Sequence, residues 1–323
     1  MDNELFDYSP ISAARATGPE AAAERNHGGT REGRQSDTAR APIQWPGGAR
    51  VAFYVGLNVE HYQVDKPSTS TFAGTAGLTP DPLNYGWRDY GPRVGFWRTL
   101  ETLDRHGIRA SVLLNSDVTV HNPQIIAAGV ARDWAWLAHG KNNSIFQADM
   151  PVDEERAYLT EVVETIERAT GRRPRGWMGP ALTETFRTPE LIAELGLNYV
   201  LDWTNDDQPY PLNVPGVFSV PYSVELNDIG LFVGKSLSGP DFVRIVRDQL
   251  DQLYAESADS GRVMALALHP FVIGQAFRAK YLDQALEYVA GHPGVWLTTS
   301  DDIAAHYAAG LAGTAAVDND RNG

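Results

Sequence analysis

Glu60, His139, Asp202 and His269 are residue types that move protons or hold metal ions, and each closes or directly follows a short apolar run. Those runs, of which the seven residues Val51–Leu57 are the longest, read as buried parallel strands. In a parallel α/β barrel the carboxyl ends of the strands share one face, so groups far apart in sequence converge there. A carboxylate and two imidazoles at one rim could carry general acid–base chemistry or bind a divalent ion. Asn58 lies two residues before Glu60 and therefore points to the same side of an extended strand. The structural alternative for each is a solvated turn or a hydrogen-bonded core histidine.

Other stretches add weaker signals. His139-Gly-Lys-Asn-Asn143 has the i, i+4 spacing that lets two side chains meet one ion on a helical turn, although an amide oxygen is a weak zinc ligand. Asn143 could equally be a turn former or N-cap. Trp177 sits in a short strand within Arg175–Thr185, and Glu184 lies beyond it, where it could also cap a helix near Thr188. Asp202-Trp-Thr-Asn-Asp-Asp207 resembles a solvated turn except that Asp202 ends a strand. Pro270 biases His269 towards an extended exit from its strand. Trp87, Trp177, Trp203 and Phe271 would either wall an apolar pocket or belong to the core.

Strands and helices alternate through most of the chain. Strands are expected at Val51–Leu57, Ala110–Leu114, Trp134–Ala138, Gly176–Met178, Tyr199–Asp202, Val217–Val224, Val263–Leu268 and Val295–Leu297. Helices are expected near Pro92–His106, Pro123–Ala131, Asp153–Ala169, Pro189–Leu195, Asp241–Tyr254 and Leu282–Val289, with Asp153 as a cap. A long loop is expected from Gln63 to Asp89. This alternation implies an α/β fold with a parallel sheet closed into a barrel.

Three segments follow. Residues 1–44 form a poorly apolar arm, disordered or wrapped around a second copy through Phe6, Tyr8 and Ile11. Residues 45–312 form the barrel, and a loose tail is expected from Gly313. An apolar content of 43% suits a globular domain, and no run is long enough to span a bilayer. With no cysteine there is neither a disulfide nor a thiolate zinc site. A formal charge of −14 disfavours nucleic acid as a partner. No secretory signal is visible, so a cytoplasmic protein acting on a small molecule, away from membranes, is expected.

The order of these pieces resembles the polysaccharide deacetylase family, whose fold is an irregular (β/α) barrel of about seven parallel strands. The resemblance spans roughly Ala49 to Ala309. Tyr90-Gly-Pro-Arg-Val-Gly-Phe-Trp97 and His269-Pro270 make it closest to the allantoinase and cyclic imide hydrolase branch. By resemblance Glu60, His139 and Asn143 take the metal-ligand places, His269 that of the general acid, and Asp202 that of the group orienting it. Asn58 falls where the family has its basic carboxylate, and an amide cannot act as a base. The branch is similar in departing from the metal site, so the implied cofactor is none or a single divalent metal such as Zn2+.

The resemblance implies hydrolysis of a C–N bond in a small cyclic amide, imide or ureide. Glu60 would activate water, and Asn58, Arg93, Trp177, Glu184 and Trp203 would contact substrate. Two alternatives are a metal-dependent deacetylase of an N-acetylated sugar and an inactive binding protein.

Overall fold

All nine residues of strand β1 (Val51–Val59) are buried, as expected for a parallel strand covered on both faces. The computed structural model describes residues 42–66 and 73–321, with side chains as far as Leu311. Phe6, Tyr8 and Ile11 of the expected arm lie outside the described residues. After β1 come helix α1 (Pro82–Tyr90), a π-helical turn (Gly91–Gly95) and α2 (Phe96–Arg105). They are followed by β2 (Ala110–Leu114), α3 (Val118–His121), α4 (Pro123–Val130), β3 (Ala135–Ala138) and α5 (Val152–Thr170). Next are β4 (Gly176–Trp177), α6 (Thr188–Glu194), β5 (Tyr199–Val200), β6 (Tyr210–Pro211) and β7 (Phe218–Ser219). A second π-helical turn (Ile229–Gly234) leads to α7 (Gly239–Glu256), β8 (Arg262–Leu268) and α8 (Pro270–Ile273). The described chain ends with α9 (Ala276–Gly291), β9 (Val295–Leu297) and α10 (Ser300–Arg321).

Among the described residues the strands form one sheet in the order β6-β7-β5-β4-β3-β2-β1-β8, with β9 beside the start of β1. Every pairing is parallel except β6 with β7. The outer edge of β8 is met by irregular chain: Val263 N–H donates to Asp207 O at 2.8 Å, and Ala267 N–H to Leu226 O at 2.9 Å. The fold is thus the expected irregular α/β barrel. Among the described residues eight strands pair in parallel and β6 alone pairs antiparallel.

Several local expectations change. Asp81 accepts the Asn84 N–H and starts α1 inside the expected loop. The expected strand Val217–Val224 shrinks to β7, because Pro221 interrupts pairing. Asp153 does not cap α5 but lies in its first turn, where the helix dipole favours an anion. The expected loose tail from Gly313 is part of α10, which continues to Arg321. No helix among the described residues is long and apolar enough to cross a membrane.

The core has two layers that follow strand parity. Val51, Phe53, Val55, Leu57 and Val59 pack with the helices, as do Trp136, Ala138, Leu266 and Leu268. Ala52, Tyr54, Leu113, Leu137, Val263, Ala265 and Ala267 fill the inside of the curl. Side chains alternate every residue, so continuing the inner series to the strand ends reaches Asn58 and Glu60, Asn115, His139 and His269. Two close approaches shape this rim. A Cβ on Gly56 would sit 2.9 Å from the Tyr222 ring, so glycine lets Tyr222 cross to Asn58. A Cβ on Gly95 would sit 1.9 Å from Pro270 O, so the second glycine of the Tyr90–Trp97 stretch seats the chain that carries His269.

Candidate active site

Glu60, His139 and His269 meet at the carboxyl end of the inner face. His139 Nε2 lies 3.5 Å, and His269 Nε2 3.8 Å, from the same Glu60 Oε1. They line a cavity of about 410 Å³ together with Asn58, Tyr62, Trp87, Arg88, Asn143, Tyr222 and Phe271.

Glu60 is held by donors. Tyr62 Oη donates to Oε2 at 2.6 Å, and Asn143 Nδ2 donates to Oε1 at 2.6 Å. Burial alone would raise its pKa, but the neighbouring imidazoles of His139 and His269 and the Tyr62 hydroxyl outweigh it, leaving about 2. Glu60 is therefore a fixed anion at neutral pH. Tyr62, pushed well above the usual phenol range by burial and by Glu60, stays a donor.

His269 is oriented by Asp228, a residue that the sequence did not single out. Asp228 is fully buried. Its Oδ1 accepts His269 Nδ1–H at 2.7 Å, and its Oδ2 accepts the N–H groups of His269 (2.8 Å) and Ile273 (3.2 Å). Burial lowers the His269 pKa, Asp228 and Glu60 raise it, and Arg88 lowers it; the net result lies above the ordinary value of 6.5. His269 Nε2 thus faces the cavity carrying a proton that it can give up.

His139 faces the cavity from the other side of Glu60. Its Nδ1 donates to Met178 O at 2.7 Å, which directs Nε2 inward. That Nε2 is buried without a hydrogen-bond partner; 3.5 Å to Glu60 is a contact distance rather than a formed hydrogen bond.

The Asn143 amide orientation follows from a backbone donor. His61 N–H donates to Asn115 Oδ1 at 2.9 Å, so Asn115 Nδ2 points to Asn143 Oδ1 (3.0 Å), and Asn143 must offer its amino group to Glu60. An amino group cannot ligate a metal. Glu60 and His139 remain, short of the three protein ligands typical of catalytic zinc. No group of three His, Cys, Asp or Glu residues among the described residues could hold a metal ion. The residues expected to bind a metal do not fit one.

Other expected site residues are dispersed. Asp202 does not orient His269; its Oδ1 accepts Gly179 N–H at 2.7 Å. With Glu184 and Trp203 it lines a separate pocket of about 430 Å³. There burial pushes Glu184 up to about 7, and burial and the neighbouring Glu184 raise Asp202. Trp177 is fully buried against the helices, being the opposite parity to Met178, which lines the cavity. Arg93 is exposed and paired with Asp89. Asn58 lines the cavity, where its Nδ2 donates to Tyr222 Oη at 3.0 Å and Leu268 O at 3.2 Å.

An Asp228→Asn substitution should move the alkaline limb of any His269-dependent activity to lower pH. The sign follows from the carboxylate: it favours the imidazolium, so its loss lets His269 deprotonate earlier. A pH–kcat/KM profile checks this.

Residues 85–200, which include His139 and Asn143, match the polysaccharide deacetylase family model. A Schizosaccharomyces pombe protein named as a polysaccharide deacetylase is 27% identical over 297 residues, covering 82% of this chain and 92% of its own. Among solved structures, PuuE allantoinase superposes with a TM-score of 0.76 and 27% identity, covering 87% of this chain and 98% of that one. A Pseudomonas aeruginosa PAO1 protein named as a polysaccharide deacetylase gives 0.75 and 26%, covering 84% and 95%. The chain thus resembles proteins named as polysaccharide deacetylases, and PuuE allantoinase, in sequence and in fold.

Proposed function

We propose that this chain, a hydrolase of the deacetylase type acting on non-peptide C–N bonds, opens a small cyclic amide, imide or ureide with water. The observation that carries the reading is the pair of imidazoles whose Nε2 atoms lie 3.5 and 3.8 Å from one oxygen of an ionised carboxylate.

Water bound near His139 loses a proton to Nε2 as its oxygen attacks the ring carbonyl. An imidazole suits this task at neutral pH. Glu60, held near a pKa of about 2, is too weak a base and acts instead as a counter-ion. The Tyr222 hydroxyl, oriented by Asn58 and kept protonated by burial, donates to the developing oxyanion. His269 then gives its Nε2 proton to the leaving nitrogen, and the C–N bond breaks. One imidazolium is present before and after, in contact with the same carboxylate, so little charge is created during turnover.

A cavity of about 410 Å³ suits a small ring. Trp87 and Phe271, edge to face at 4.8 Å between centroids, wall it. The metal-dependent reading is weakened by the Asn143 amino group. Deacetylation of an N-acetylated sugar is kept as the second reading, because the relatives named as polysaccharide deacetylases favour it.

Assaying the purified protein on hydantoins, succinimide-type rings, allantoin and N-acetylglucosamine tests the proposal. Ring opening is expected; acetate release from the sugar with every ring left intact would overturn it. Within the active series, Tyr222→Phe should lower kcat about 10²-fold with little change in KM, the usual cost of one oxyanion donor. Steady-state kinetics on the best ring substrate reads this out.

A further inference from the structure

The peptide unit that follows strand β4, Met178–Gly179, is bracketed by one side chain from beyond each neighbouring strand. Strand β4 lies between β3 and β5. Its ladder ends with Met178 N–H donating to Ala138 O on one side and Leu201 N–H donating to Trp177 O on the other, both at 3.0 Å. Beyond that point the strands stop, β3 giving way to a turn at Gly140 (φ +66°) and β5 being only two residues long. Side chains take over the pairing. His139 Nδ1–H donates to Met178 O at 2.7 Å, and Gly179 N–H donates to Asp202 Oδ1 at 2.7 Å. These are the carbonyl and the amide of one planar, trans peptide unit, so they point in opposite directions and cannot turn independently. His139, Gly179 and Asp202 are all buried, which shields both bonds from bulk water. A carboxyl oxygen accepts from an N–H whether or not the group carries its proton. Burial and Glu184, which raise the Asp202 pKa, therefore leave the bond to Gly179 in place.

We propose that Asp202 is a positioning residue for His139: by accepting Gly179 N–H it fixes the plane of the Met178–Gly179 peptide, whose carbonyl then holds the proton on His139 Nδ1 and leaves Nε2 to meet water. The inference rests on the proton-accepting role of His139 proposed above and adds a residue outside the catalytic cavity to that step. Which imidazole nitrogen carries the proton is set by the bond that the other one makes. Without the Asp202 acceptor the buried Gly179 N–H is unpaired, a costly state that rotation of the peptide plane relieves by turning the N–H towards His139. Nδ1 then accepts, the ring proton moves to Nε2, and Nε2 can no longer take a proton from water.

The test compares the wild-type protein with Asp202→Leu, which removes the acceptor at similar volume, and Asp202→Asn, whose amide oxygen can still accept from Gly179 N–H. Nitrogen NMR of the His139 ring, assigned by its loss in His139→Gln and followed along a pH titration so that the neutral ring is seen, reads the tautomer without turnover. The proton should sit on Nδ1 in wild type and Asp202→Asn and move largely to Nε2 in Asp202→Leu. On the best ring substrate Asp202→Leu should lower kcat about 10- to 100-fold with KM little changed, the range for outer groups that orient a functional imidazole. Asp202→Asn should recover most of that loss. In Asp202→Asn the Gly179 amide proton and the His139 Nδ1 proton should also shift in the same direction, since bonds in a chain polarise one another. An Nε2 proton in wild type, or an Nδ1 proton retained in folded Asp202→Leu, overturns the assignment. A Gly179 shift with His139 unmoved in Asp202→Asn does so even if Asp202→Leu does not fold. If no ring is opened by wild type but the proton still moves in Asp202→Leu, the hydrolase reading falls and the Asp202 assignment stands.

Discussion

Replacing His269 with alanine is expected to lower kcat/KM for ring opening by about 10²–10⁴-fold, the usual contribution of a positioned acid. The loss should depend on the leaving group. A nitrogen that departs as a stable anion needs no proton in the transition state, so an imide whose nitrogen carries a strongly electron-withdrawing group should lose far less than a plain lactam. His269 sits on Asp228 and beside Glu60, which together hold its proton in place above the ordinary imidazole range. The variant also removes the partner of a buried Asp228 oxygen, so its fold is checked by its denaturation midpoint. A uniform loss across leaving groups would place His269 in substrate positioning instead.

His139→Gln is expected to cost a similar factor, about 10²–10⁴, but with a different signature. Its loss removes the base, so the acid limb of the pH–rate profile should disappear while the alkaline limb set by His269 remains. The amide is close in length and can still meet Met178 O, which limits structural damage. Because the two imidazoles act in one proton cycle, the double variant should lose much less than the product of the single losses. Rate measurements on both singles and the double, on one ring substrate, decide this.

Much of the site was legible from strand ends. Glu60, His139 and His269 each follow an apolar run by an inner-face register, and the barrel brings them within 4 Å of one another's reach through a single carboxylate oxygen. The errors at Trp177 and Asp202 share one cause. Both strands β4 and β5 are two residues long and buried on both faces, so no polar alternation in the sequence marks which parity faces inward. Trp177 takes the outward parity beside Val200, and Asp202 continues that outward series, away from His269. Asp228 was hidden for another reason. It precedes a π-helical turn in irregular chain, where neither periodicity nor spacing links it to His269 forty-one residues later.

Arg88 was missed because helix α1 was read as loop. The stretch from Gln63 to Asp89 is rich in turn residues, and the Asp81 cap with Pro82 in the first turn was the only local sign of a helix. Arg93, four residues into the more conspicuous Tyr90–Trp97 stretch, took its place in the sequence reading. The Asn143 amide could not have been oriented from sequence at all, since its direction is set through Asn115 by the backbone N–H of His61.

The measurement that bears most directly on proton transfer between two imidazoles flanking Glu60 is kcat/KM for ring opening after exhaustive chelation. An unchanged value, with the His139- and His269-dependent pH limbs intact, is the predicted result. Activity lost on chelation and recovered with zinc, in step with one bound ion per chain, would contradict it.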